Sequence, residues 1–147
     1  MDIHYYARSK KSTVDSWTYH ADPVALAHKV DFLFVALVGG EETSKFASAE
    51  VIQALGPDGI LINISRGSTV DEDALLKALE TKALRGAALD VFAGEPNINP
   101  KFLELDNVFM QPHQGSGTVE TREAMSKLQR DNLSNFFANR ALLTPVN

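Results

Sequence analysis

The chain has 147 residues, 44% hydrophobic and 22% charged, with a formal net charge of −5; this is the balance of one soluble globular domain with a core of its own. A general nucleic-acid binder carries a basic field, and this chain does not. Without cysteine there are no disulfides, zinc–thiolate sites or thiol chemistry.

The first apolar run, residues 3–7, predicts a strand, and the opening Met1-Asp2-Ile3-His4 lacks the basic-then-apolar order of a secretory leader. Asp22 before Pro23 opens a short helix over residues 23–29. A second strand is predicted at 32–38; this longest apolar run is far too short to span a bilayer, so a cytoplasmic protein is expected. A helix over 48–55 is stopped by Gly56-Pro57, and a third strand follows at 59–64. Asp71 is placed to cap a helix from 72 to about 81, with Glu72 and Asp73 suited to the helix dipole. Two further strands are predicted at 86–91 and 108–110, then a long helix from about 119 to 138. In that helix Met125, Leu128, Leu133, Phe136 and Phe137 form an apolar stripe, which reads as core or interface packing.

Strand runs alternating with helical patterns predict an α/β domain with a parallel sheet. The near-continuous apolar character of the runs predicts strands covered on both faces. Ligands of such sheets bind outside the carboxyl ends of the strands, and three kinds of reactive side chain fall there. Arg66 follows the third run, and a guanidinium there can grip a carboxylate through two parallel hydrogen bonds. Asp90 closes the fourth run and Glu95 follows on a loop stiffened by Pro96. His113 follows the fifth run in a loop of small residues; an imidazole there can pass a proton to a reacting carbonyl oxygen. Each alone is equally well an ordinary surface residue, but together they surround one crevice. His4, His20 and His28 read as structural or solvated.

Asn63-x-x-Arg66-Gly67-x-x-Val70-Asp71-x-x-Ala74-Leu75, then Gly86-Ala87-Ala88-Leu89-Asp90-Val91-Phe92-x-x-Glu95-Pro96, then Pro112-His113-x-Gly115-Ser116-x-Thr118 resembles the signature of the D-isomer-specific 2-hydroxyacid dehydrogenases. The resemblance covers nearly the whole chain. Residues 112–125 are similar to the glyoxylate, hydroxypyruvate and hydroxyphenylpyruvate reductase branch. It implies an NAD(P)-dependent enzyme that reduces small 2-oxo acids. Arg66 would bind the oxo acid, His113 would be the acid/base, and Glu95 its hydrogen-bond partner. Asp90 would contact the nicotinamide end, with Thr43, Ile64, Ser65, Arg66, His113 and Gly115 along the cofactor cleft. At the end of the first predicted strand stands Arg8-Ser9-Lys10-Lys11 rather than an acid; three cations and a hydroxyl suit the 2′-phosphate of NADP(H) better than the free ribose of NAD(H).

Two features depart from the family. The loop Val38-Gly39-Gly40-Glu41-Glu42-Thr43 replaces a sequence that commonly contains proline, although Thr43 matches. There is also no G-x-G-x-x-G, so the chain reads as a partial doubly wound (Rossmann-like) sheet, residues 1–147, with the first strand, the glycine-rich loop and the substrate domain absent. That loop normally offers backbone N–H groups to the pyrophosphate. The isolated chain is therefore expected to bind cofactor weakly, to turn over poorly and to self-associate. Three readings follow: the cofactor-side half of a reductase, a non-catalytic dinucleotide-binding or interaction module, or a truncated inactive fragment. Relatives are commonly homodimers; no membrane or nucleic-acid partner is implied.

Overall fold

A computed structural model describes residues 1–14 and 16–146, which form two compact units divided after His113. In the first unit β1 (His4–Tyr6) pairs in parallel with β2 (Thr18–His20). A second sheet runs in the order β3 (Phe32–Val35), β4 (Ile60–Asn63), β5 (Gly86–Leu89) and β6 (Val108–Met110), parallel throughout. Three helices connect these strands: α1 (Pro23–Ala27), α2 (Ala49–Leu55) and α3 (Glu72–Glu80). Each begins where a side chain accepts a free backbone N–H of the first turn: Asp22 from Ala25, Ser48 from Val51 and Asp71 from Ala74.

The helices form one layer, α1 against α2 and α2 against α3. The core lies between that layer and one face of the larger sheet. Leu26 and Ala27 of α1, Val51 and Ile52 of α2 and Leu75, Leu76 and Leu79 of α3 pack with Leu33, Val35, Leu61, Ala87 and Leu89 of the strands. The expectation of strands covered on both faces holds for β5, where Gly86, Ala87 and Leu89 are buried, but not for β3 and β6. Burial alternates along β3, where Phe32 and Phe34 are exposed, and Phe109 of β6 is exposed as well. The physical reason is that helices α1 to α3 all lie in one layer, which leaves the outward residues of the edge strands β3 and β6 open.

The strand expected over 32–38 stops at Val35, because Val35 meets Asn63, the last residue of β4, and beyond it there is no neighbour to pair with. The same limit ends β5 at Leu89. Strand β2 was not anticipated. It is three residues long, and it gains its place through tertiary contacts: Tyr19 packs on Tyr5 at 5.3 Å, and His20 stacks on His4 at 5.2 Å.

The second unit contains α4 (Val119–Phe137), opened by Thr118, whose hydroxyl accepts from the Thr121 N–H. Asn132 ties the C-terminal tail to this helix: it donates to Thr144 and accepts from the Leu143 N–H. Of the two roles expected for its apolar stripe, core or interface packing, core packing is not present. No residue of α4 is buried, and Met125, Leu128, Leu133, Phe136 and Phe137 are all exposed. Among the described residues no helix is long and apolar enough to cross a membrane.

Candidate active site

Strands β4, β5 and β6 are neighbours and parallel, so the segments after Asn63, Leu89 and Met110 emerge at one edge. These segments carry Arg66, Glu95 and His113. Each is held there by local chemistry.

The Arg66 loop is built by Asn63, which is 1% exposed and fully used. Its Oδ1 accepts from the N–H and the hydroxyl of Ser65, both at 3.0 Å, and its Nδ2 donates to the Arg66 carbonyl at 3.0 Å. The Thr69 hydroxyl donates to that same carbonyl at 2.6 Å. A side-chain amide that bonds its own downstream backbone is the device by which Asn makes a tight turn. Arg66 itself is exposed, and its Nη1 donates to the Ser65 carbonyl at 2.7 Å. Asn63→Ala strands the Ser65 N–H and loosens the Arg66 carbonyl, at an expected cost of about 2 kcal/mol. Urea unfolding of the variant measures that loss.

The Glu95 loop rests against this turn. A methyl group on Gly67 would lie 2.0 Å from the Phe92 carbonyl carbon and 2.3 Å from the Ala93 nitrogen, so only glycine fits. Phe92 is buried and meets the fully buried Phe102 edge-on at 5.7 Å, which anchors the loop in the core. Glu95 uses both carboxylate oxygens. Oε1 accepts from the Phe92 N–H at 2.7 Å, and Oε2 meets Nδ1 of His113 at 2.8 Å. His113 has φ 52, a left-handed conformation unusual for a residue with a side chain. Such local strain is characteristic of functional positions.

The hydrogen bond from His113, and then that from the Phe92 N–H, hold the Glu95 carboxyl below its ordinary value, against the opposing effect of burial. Glu95 is thus favoured in its ionised form, with Nδ1 of His113 committed to it, so that Nε2 is the ring nitrogen not engaged by Glu95. A folded pKa below the unfolded one contributes stability above the ordinary value of 4.5, lost as pH falls through the lowered folded value. The expected result is a drop in the urea midpoint on that acid side that Glu95→Gln abolishes.

The pair borders a cavity of about 430 Å³ walled by Phe92, Ile98, Leu103, Met110 and Pro112. A larger hollow of about 730 Å³ lies along α4, but its lining is one charged helix face and it brings no reactive groups together.

The other expected contacts are distributed as follows. Arg8, Ser9 and Lys10 are exposed just after β1, on a turn pinned by two tyrosines: the Lys11 N–H donates to Tyr5 at 2.8 Å and Tyr19 donates to the Ala7 carbonyl at 3.2 Å. Ile64 is 57% exposed at the end of β4. The Ser65 hydroxyl is turned inward, shared between Asn63 and Thr69. The Thr43 hydroxyl donates to the Val38 carbonyl at 2.6 Å and closes the loop after β3. Asp90 is half-buried, its N–H bound to the Asn63 carbonyl at 3.0 Å. Gly115 lies in a turn of the second unit. Sequence reasoning gave no role to Asn63, Gly67 or the Phe92 N–H. An Asn at a strand end followed by Ser is a turn signal that could have found the first.

A parallel α/β sheet with Arg66, Glu95 and His113 at its carboxyl edge defines the class of open-sheet domains that bind their ligands at that edge. The family model for the D-isomer specific 2-hydroxyacid dehydrogenase, NAD binding domain, matches residues 1–115, and the chain belongs to that family. It is 49% identical to hydroxyphenylpyruvate reductase of Plectranthus scutellarioides over 98% of this chain and 46% of the relative. A 2-hydroxyacid dehydrogenase structure from Ketogulonicigenium vulgare superposes with a TM-score of 0.94 at 53% identity, over 100% of this chain and 46% of that one. An NADPH-dependent glyoxylate/hydroxypyruvate reductase from Sinorhizobium meliloti, in complex with NADP and malonate, gives 0.95 at 46% identity, over 99% and 45%. The chain spans about half the length of the curated relatives it matches.

Proposed function

We propose that this chain is the cofactor-side half of an NADP(H)-dependent reductase that converts small 2-oxo acids, such as hydroxypyruvate or glyoxylate, to D-2-hydroxy acids. The observation that carries the reading is the 2.8 Å contact between His113 and Glu95 at the same sheet edge as Arg66. Relatives named as reductases of such acids support the substrate class.

The residues present fit a nicotinamide dinucleotide. Gly39 and Gly40 put no side chain in its way, Ile64 offers an exposed apolar surface, and the basic turn after β1 suits a phosphate. When bound, the reduced nicotinamide supplies the hydride. Arg66 grips the substrate carboxylate and polarises the adjacent oxo group. As the carbonyl carbon accepts the hydride, the carbon–oxygen π pair moves onto oxygen, and His113 Nε2 gives that oxygen its proton. Glu95 stabilises the imidazolium before transfer and fixes the ring throughout. Asp90, just after β5 on the same edge, would contact the nicotinamide end of the cofactor.

Calorimetric titration of the purified protein with NADPH and NADH tests the cofactor assignment. The expected result is NADPH binding at least about tenfold tighter, a difference of about 1.4 kcal/mol. The preference should collapse in Arg8→Asp. Equal affinities would overturn the NADP(H) assignment.

A further inference from the structure

The peptide joining Phe92 to Ala93 is the point where the parts of the site meet. Gly67, next to Arg66, lies against it, and the preceding peptide, joined to it at the Phe92 Cα, supplies the Phe92 N–H that holds Glu95. The Ala93 N–H points elsewhere: it donates to Oε2 of Glu72 at 2.8 Å, across 21 residues of sequence. Glu72 is the first residue of α3. An acid at that place is ordinarily explained by the helix dipole, which a solvated carboxylate serves equally well. Here the side chain is half-buried. Burial pushes its carboxyl up, Asp73 adds to that, and only the bond from Ala93 opposes it. A carboxylate kept at such a cost calls for a use beyond the dipole.

We propose that Glu72 is a positioning residue: by holding the Ala93 N–H it fixes the Phe92–Ala93 peptide, and across the Phe92 Cα this sets the neighbouring Val91–Phe92 peptide, whose N–H aims Glu95 at His113. Glu72 touches neither His113 nor Glu95 in this arrangement and acts only through the backbone. The inference rests on the reading of Glu95 and His113 given above. It predicts that loosening one of these two successive peptides weakens the contact made by the other.

The test is the titration of the Glu95 side-chain carboxyl by carbon-13 NMR, its signal assigned by loss in Glu95→Gln. It is joined to hydrogen exchange of the Phe92 amide. The charges that act on Glu95 are His113, which lowers its value, and Asp90, which raises it. Removing a negative charge at Glu72 can only lower it further, whereas loss of position raises it. The two causes therefore have opposite signs.

In Glu72→Leu the Glu95 midpoint should move up towards the ordinary carboxylate value, and Phe92 exchange should quicken about tenfold. Glu72→Ser, which a helix start accommodates readily, should do the same if the leucine variant does not fold. Glu72→Gln keeps an acceptor oxygen and should retain the parent's low midpoint and slow exchange. A Glu95 midpoint at or below the parent's in both the leucine and serine variants would overturn the role of Glu72. A parent whose Glu95 titrates at the ordinary value would overturn the Glu95–His113 reading itself, so the two failures are distinct.

Discussion

Gly67→Ala is expected to destabilise the fold by about 3 kcal/mol, lowering the melting temperature by roughly 10 °C. The added methyl would meet the Phe92 carbonyl carbon at 2.0 Å and the Phe92 oxygen at 2.2 Å. These are backbone atoms, held on one side by the core through Phe92 and Phe102 and on the other by the Phe92 bond to Glu95. Neither can yield as a flexible side chain would, so the Arg66 turn and the Glu95 loop must separate. The variant therefore couples two losses: a thermal melt reads the stability, and the His113–Glu95 contact opens at the same time. Gly39→Ala is the informative contrast. There the methyl meets the Arg66 Cγ at 2.6 Å, part of a flexible exposed side chain that can move aside. It should leave the melt almost unchanged.

His113→Gln is expected to lower kcat by about a thousandfold while NADPH affinity stays within a factor of about two. Glutamine is similar in size and can still bond Glu95, but it has no proton to give. The exposed position of His113 makes a large stability change unexpected, since exposed substitutions stay within about 0.5 kcal/mol. Left-handed backbone at this residue also favours replacement by Asn, which tolerates it better. His113→Asn should thus fold at least as well and be equally slow. A rate within tenfold of the parent in either variant would remove His113 from the chemistry.

Much of this was legible in the sequence because strand runs and helix starts are local signals. Asp22 and Asp71 announce their helices by capping them, and β6 spans the residues its apolar run marks. Arg66, Glu95 and His113 were legible because each follows a strand in a sheet whose strands all point one way. What was not legible depends on contacts distant in sequence. The polar triplet of β2 is a strand only because β1 lies beside it. Which face of β3 is covered depends on where α1 to α3 gather, and the run itself is apolar on both faces. Ser65 was expected along the cofactor cleft, yet its hydroxyl closes a network with Asn63 and Thr69 that only the folded turn creates. Glu72 is the clearest example: its place at a helix start gave a sufficient local reason for an acid, which concealed its bond to Ala93.

The most direct test of the account follows the hydride itself: the protein is supplied with NADPH deuterated at the transferable position, together with hydroxypyruvate or glyoxylate, and the product is examined by NMR. The account predicts deuterium on the former oxo carbon, with a D-configured product from hydroxypyruvate. Product without deuterium at that carbon, or an L-configured product, would contradict it.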